Sequence, residues 1–253
     1  MTRFLIFAGY FVLMLYLVAT HTLDQYINLN YSYLSYISMA ISFVLAIYEL
    51  SRWIRRESRL PKISAIVLLI IPIFVGFFFP QVNLDATIVA SKGLHLPVSQ
   101  DNTGDAQMKT QYLAPNTSMY FSSDEYAREM RANMKPYKSL KSITVDDANF
   151  LVVMELIYDY PEEFAGKTLT YTGFVYQNFV LRFGIIHCVA DSGVFGLQIL
   201  TSEKLVENEW YTVSGKIEVA YSKSLKRNVP SVEGVSVVPA EKPSNPYVYR
   251  IFK

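Results

Sequence analysis

Apolar residues crowd the first eighty positions into three runs, Phe4–Thr20, Tyr31–Leu50 and Ile63–Phe79, the last with Pro72 inside it. Each is about 17–20 residues long, which carries an α-helix across a hydrocarbon core of about 30 Å. None holds Lys, Arg or Asp, and the one acid, Glu49, stands at the end of the second run. A helix apolar on every side must be covered by lipid or by a large protein core, and no neighbouring amphipathic segment supplies such a core. The pattern predicts a transmembrane region over residues 1–82, with spans at about 4–22, 31–50 and 63–79. Pro72 removes one backbone donor from the third span. It predicts a kink there, either incidental or a packing site for another membrane protein.

Past Pro80 the pattern changes. A moderately apolar stretch, Gln81–Pro97, leads into "VSQDNTGDAQMKTQ", polar and turn-rich without periodicity, which reads as a linker. In the next segment Ser122 and Glu125 have capping-box spacing, while Tyr126, Met130 and Met134 recur every four residues. Residues 83–143 are therefore a linker with one short helix. A stronger helix is expected over 146–160, with Phe150, Leu151, Met154, Ile157 and Tyr158 on one face. Asp146 or Asp147 can cap it, and Pro161 ends it.

From Lys167 onward the period falls to two. Five β-rich runs follow, at 167–176, 179–190, 194–200, 209–221 and 229–238, with room for a helical turn in "TSEKLVENE" between the third and fourth. Five strands interrupted after the third suggest a small Greek-key barrel of the OB type. Gly173 and Gly215, inside strands, suit the bends and bulges of such a barrel. An open five-stranded sheet packed on the 146–160 helix is the alternative. The expected fold is a membrane α region of three transmembrane helices, then an α+β domain over 144–253 built on a five-stranded OB-like β-barrel.

Charge orients the chain. The segment between the second and third runs carries Arg52, Arg55, Arg56, Arg59 and Lys62 against Glu57, whereas "HTLDQYINLN" has no Lys or Arg. The positive-inside rule puts the basic loop and the N-terminus, with Arg3, in the cytoplasm and everything after Phe79 outside it. The chain carries 23 basic and 22 acidic side chains in all, and six of the basic ones lie in the first eighty residues. The remainder is slightly negative and has no electrostatic footprint for phosphate backbones, so no nucleic-acid partner is expected. One cysteine excludes an internal disulfide.

That cysteine sits in "FGIIHCVADSG", directly after a histidine. A nucleophilic cysteine needs a base within about 3 Å. Neighbours in a regular strand face apart, so His187 serves Cys188 only if the strand breaks there. No other nucleophile motif is present, and no enzymatic activity is expected. Zinc accepts thiolate, imidazole and carboxylate. His187, Cys188 and Asp191 offer all three within five residues, with "ADSG" as a turn to gather them and His95 as a distant fourth ligand. The competing reading is a buried strand, with Gly184, Ile186 and Cys188 on one face and Phe183, Ile185, His187 and Val189 on the other. In that reading Arg182 is a candidate to pair with Asp191 across the hairpin. Tyr171, Tyr176, Trp210, Tyr211 and Tyr221 are candidates for stacking on a sugar. "LKRN" reads as a solvated basic hairpin tip, and "NPYVYRIFK" either packs back on the barrel or docks on a partner.

The runs "YPEEFAGKTLTYTGFVY", "LRFGIIHCVADSGVFGLQIL", "NEWYTVSGKIEV", "VPSVEGVSVV" and "EKPSNPYVYR" resemble an uncharacterised bacterial family described as permease subunits. The resemblance covers residues 145–253 and, more loosely, the three-span layout. It implies N-terminal membrane helices in the lipid bilayer, an exported OB-like domain, and a multi-spanning permease-like membrane protein as partner. Arg182, Cys188, Ala190, Asp191 and Asn245-Pro246-Tyr247 match its pattern, while His187 replaces the first of two adjacent cysteines. That exchange keeps a zinc donor and removes a vicinal disulfide. The expected function is an accessory subunit of a two-component membrane permease complex. The alternative is an extracytoplasmic, membrane-anchored zinc-binding protein.

Overall fold

The computed structural model describes residues 1–56, 63–78, 84–92, 123–189 and 192–250, which fall into two compact units, Met1–Asn83 and Leu84–Lys253. In the first, α1 (Thr2–Ala19) and α2 (Ser32–Ile54) are long and apolar enough to cross a membrane. Short 3-10 turns at Leu23–Gln25 and Leu29–Tyr31 join them, and the Asn28 side chain caps the second by accepting from the Asn30 N–H at 3.0 Å. α3 (Ile63–Phe78) is apolar throughout, but its 16 residues reach only about 24 Å. That is shorter than the span expected over 63–79. Residues 57–62 and 79–83, on either side of it, lie outside the described residues.

α1 packs on both of the others. Phe11 meets Phe43 of α2 with ring centroids 5.3 Å apart, and Tyr16 meets Phe77 of α3 at 6.0 Å. Pro72 falls where α3 touches α1. The Tyr10 hydroxyl donates to the Leu69 carbonyl at 2.9 Å, and the Ile73 side chain lies against Gly9. Without a proline N–H the Leu68 carbonyl next to Leu69 loses its helical partner, so α1 brings a polar group to the place where the ladder of α3 is interrupted.

Seven strands among the described residues of the second unit form one sheet: β1 (Ser142–Thr144), β2 (Thr168–Tyr176), β3 (Phe179–Ile185), β4 (Gly193–Leu200), β5 (Trp210–Ser222), β6 (Arg227–Pro239) and β7 (Tyr247–Tyr249). Five of them pair in a circuit. β2 runs antiparallel to β3 and to β5, β3 to β4, and β5 to β6, while β4 and β6 join in parallel, Gln198 opposite Ser231. β1 lies parallel to β2. β7 lies parallel to β3 and takes over Phe183–Ile185 beyond Phe179–Leu181, which pair with β2.

The circuit strands are the five runs read from the sequence, with two differences. The second run stops at Ile185 instead of continuing to 190, and "TSEKLVENE" forms bends and a turn rather than helix. β1 and β7, of three residues each, were not expected.

Among the described residues, four helices complete this unit: α4 (Ala86–Lys92), α5 (Ser123–Lys138), α6 (Phe150–Asp159) and α7 (Pro161–Phe164). α5 buries Met130 and Met134, as their spacing requires; its capping Ser122 lies outside the described residues, as do the 98–111 linker and His95. α6 buries eight of its ten residues, so it is covered on more than the one face its apolar stripe predicts. Its N-cap is Asn149, and Asp146 caps the preceding turn, accepting from the Ala148 and Asn149 N–H groups at 3.0 Å each. Phe150 meets Tyr171 edge-on at 6.0 Å, and the Tyr158 hydroxyl donates to the Gly196 carbonyl at 2.9 Å. From β2, the Tyr171 hydroxyl reaches two more strands. It accepts from the Leu197 N–H at 3.2 Å and lies 3.1 Å from the Val180 carbonyl, to which it donates.

Two glycines carry the curvature. Between β5 and β6 the register shifts near Gly215, and Gly234 on the longer side takes φ +63°, the geometry of a bulge. Gly196, at φ +152°, brings β4 so close to β3 that a Cβ would stand 2.0 Å from the Val180 carbonyl oxygen. Gly196→Ala is therefore expected to cost about 3 kcal/mol or more, read as lost thermal stability of the detergent-purified chain. A melting point unchanged within a degree or two would mean the strands do not approach this closely.

Candidate functional site around the end of strand β3

β3 ends where its neighbours end. β4 pairs with it only as far as Gly193 opposite Gly184, and β7 only as far as Tyr249 opposite Ile185. With no further ladder from β4 or β7, the chain leaves the strand and bends at Ile186 and His187. The continuous buried strand through Val189 is thus corrected. β3 itself is buried on both faces, but His187 and Cys188 leave it and are half-buried. Asp191 lies outside the described residues. Among the described residues, no three His, Cys, Asp or Glu side chains stand close enough to hold a metal ion.

Four residues before the bend, Arg182 is 3 % exposed. Its guanidinium pairs with Asp147, just upstream of α6; the Asp191 pairing considered above falls outside the described residues. Its remaining donors point to the carbonyls of Pro246, Asn245 and Tyr247, at 3.4, 3.4 and 3.3 Å. The rings of Phe150 and Trp210 each lie 5.6 Å from it. One cation from β3 thereby joins the approach to α6, the start of β7 and the start of β5. Asn245 adds two bonds, accepting from the Tyr247 N–H at 3.0 Å and donating to the Tyr249 hydroxyl at 2.8 Å. The "NPYVY" ending packs back on the sheet.

A second ion pair, this one buried on both sides, closes the other end of β7. Arg250 bonds Glu155 of α6 at 2.5 Å, with both side chains at most 5 % exposed. The Arg250 N–H also donates to the Ile185 carbonyl at 3.2 Å, at the residue where β3 ends. Burial pushes the Glu155 carboxyl up to about 7; Arg250 opposes that rise, while Asp159 and Glu129 add to it. Oε2 of Glu155 has no hydrogen-bond partner among the described residues.

Sequence reasoning missed Glu155, although a signal existed. It stands four after Leu151 and three before Tyr158, on the apolar stripe itself, where an acid demands a cation. Of the stacking candidates, Tyr171 and Trp210 belong to the core, Tyr176 and Tyr211 are partly buried, and Tyr221 is exposed. The chemistry of the site is that of two latched arginines around a turn bearing imidazole and thiol.

Two family models match the chain in order, the DUF1980 N-terminal domain over residues 2–95 and the DUF1980 C-terminal domain over residues 120–250. A Streptococcus mutans protein named "Putative two-component membrane permease complex subunit" is 42% identical over 271 residues, and a Bacillus subtilis protein named "UPF0703 protein YcgQ" is 33% identical over 287. Both alignments cover 100% of each chain. No solved structure matches.

The raised Glu155 carboxyl makes stability pH-dependent. Between the ordinary 4.5 and about 7 the folded chain holds a proton that the unfolded chain has released. This contribution is therefore fully present below 4.5 and is lost as pH rises through about 7. Glu155→Gln should remove that part of the pH profile. Unfolding of the two chains at pH 5, 6, 7 and 8 is the comparison, and parallel profiles would refute the assignment.

Proposed function

Because the chain belongs to the DUF1980 family, we propose that it is the accessory subunit of a two-component membrane permease complex, partnered by a multi-spanning permease-like membrane protein. The observation that carries this reading is the full-length similarity to a relative that bears such a name. In this reading α3 is the third span, and its outward side chains, among them Leu68, Ile71 and Phe74, face the partner or lipid. No residue of α3 is buried within the chain itself, so other apolar matter must cover it. The five-strand circuit is read as an OB-type barrel, since four antiparallel pairings closed by one parallel pairing suit a small Greek-key barrel. The basic Arg52, Arg55 and Arg56 at the end of α2 favour a cytoplasmic N-terminus and an extracytoplasmic barrel that assists ligand handling or gating without catalysis.

One experiment reads both parts. A tagged chain with Cys188→Ser and Ser224→Cys, on the exposed turn after β5, is labelled on intact cells with a membrane-impermeant maleimide and then purified in mild detergent. The labelled chain should bring down a multi-spanning protein in about equal amount. A chain that runs alone argues against the subunit role, and labelling only after cell lysis overturns the orientation.

A second reading, a membrane-anchored zinc-binding protein, is favoured by the break in β3. The bend removes the strand geometry that would hold His187 and Cys188 apart, and it leads directly toward Asp191. Metal content of the purified chain should then be about one zinc per chain and fall in His187→Ala and Cys188→Ala. Equal, substoichiometric zinc in all three ends this reading.

A further inference from the structure

The three helices of the first unit leave a groove of about 260 Å³, lined by Arg3, Ile6 and Phe7 of α1, Glu49 of α2, and Ile66 and Leu69 of α3. We propose that it binds one anionic phospholipid, with the phosphate on Arg3 and an acyl chain along the apolar wall. The inference rests on the membrane embedding of these helices and not on the partner.

The polar end is built around Glu49, whose side chain is 9 % exposed. A carboxylate buried this far needs a cation. Arg52, one turn further along α2, provides it with a hydrogen bond of 3.4 Å to Oε1. Arg3 approaches the same oxygen from α1 at 3.7 Å, an ion-pair distance beyond hydrogen-bond range. Among the described residues, two guanidinium groups against one carboxylate leave one positive charge at the groove. With Arg52 satisfying Glu49 and the Arg3 side chain 37 % exposed, the Arg3 fork is the group presented outward. A phosphodiester matches that fork with two parallel bonds.

The rest of the wall is aliphatic and aromatic. The groove exceeds the roughly 150 Å³ of an apolar cavity that stays dry and accepts benzene. Among helices that face hydrocarbon, such a wall is covered by an alkyl chain. Free phosphate would leave the wall bare, and a zwitterionic lipid would leave the charge unmatched, so the two halves together select an anionic amphiphile. Arg55 and Arg56 stand next along the chain, and basic residues beside a membrane helix draw anionic headgroups at about 1 kcal/mol each.

The test uses the full chain, purified without a partner in mild detergent and mixed with equal phosphatidylglycerol and phosphatidylcholine, with bound lipid counted by native mass spectrometry. The wild type should retain one phosphatidylglycerol per chain, at least ten-fold over phosphatidylcholine. Arg3→Gln should lose the preference. Ala65→Trp, which fills the wall from α3, should lose retention of either lipid while keeping the charge. Equal retention of the two lipids by the wild type overturns the proposal. So does a preference that survives both substitutions. Circular dichroism of each variant separates loss of the site from loss of the fold.

Discussion

A guanidinium at 3 % exposure cannot stand without acceptors, and Arg182 collects them from segments far apart in the chain. Asp147 comes from 35 residues upstream and the Asn245–Tyr247 carbonyls from more than sixty downstream. These carbonyls precede and open β7, a strand of three residues that could not hold its place by pairing alone. The burial of Arg182 and the attachment of β7 are therefore one requirement. If the tail lifts, a buried cation loses most of its acceptors. If Arg182 is absent, carbonyls in the core lose their donors.

Arg250 repeats the logic at the far end of β7, with a different electrostatic result. The partner of Arg182 is a largely exposed carboxylate, Asp147, which is solvated on its outer side. Glu155 is enclosed, so desolvation outweighs the attraction of its cation and its carboxyl is pushed up. The Glu155 end of the latch is thus poised to exchange a proton near neutrality. Both ends bear on α6, which the buried side chains Phe150, Leu151, Met154 and Tyr158 already fix against the sheet. The same tail also holds the beginning of its unit. The Tyr247 hydroxyl accepts from the Leu84 N–H at 3.0 Å, and Asn208 accepts from the Ala86 N–H at 3.1 Å, so Leu84 is tied to β7 and Ala86 to the turn before β5.

What the sequence makes legible follows from the range of the interactions. Two membrane-length helices, the Met130–Met134 face of α5 and the five circuit strands all declare themselves through local periodicity, because each element buries a regular set of its own side chains. The FGIIHCVA stretch misled because its composition continues as a strand, whereas strand length was decided by where β4 and β7 stop. β1 and β7 are too short to show a period. The latch was illegible for a related reason: Arg182, Asp147 and the Pro246 carbonyl share no spacing. Glu155 alone left a trace, as an acid on an apolar helical stripe.

The position of the His187–Cys188 turn gives these contacts a functional bearing. The turn begins at Ile185, whose carbonyl is held by the Arg250 N–H, and the Arg250 side chain is held by Glu155. Any change that draws the turn outward must act on that carbonyl first, and through it on the one buried pair whose carboxyl titrates near neutrality. Conversely, loss of the Glu155 proton as pH rises through about 7 leaves an enclosed carboxylate that desolvation disfavours, and this loosens the end of the strand from which His187 emerges. The turn and the tail are therefore joined mechanically, through the Ile185 carbonyl, Arg250 and Glu155.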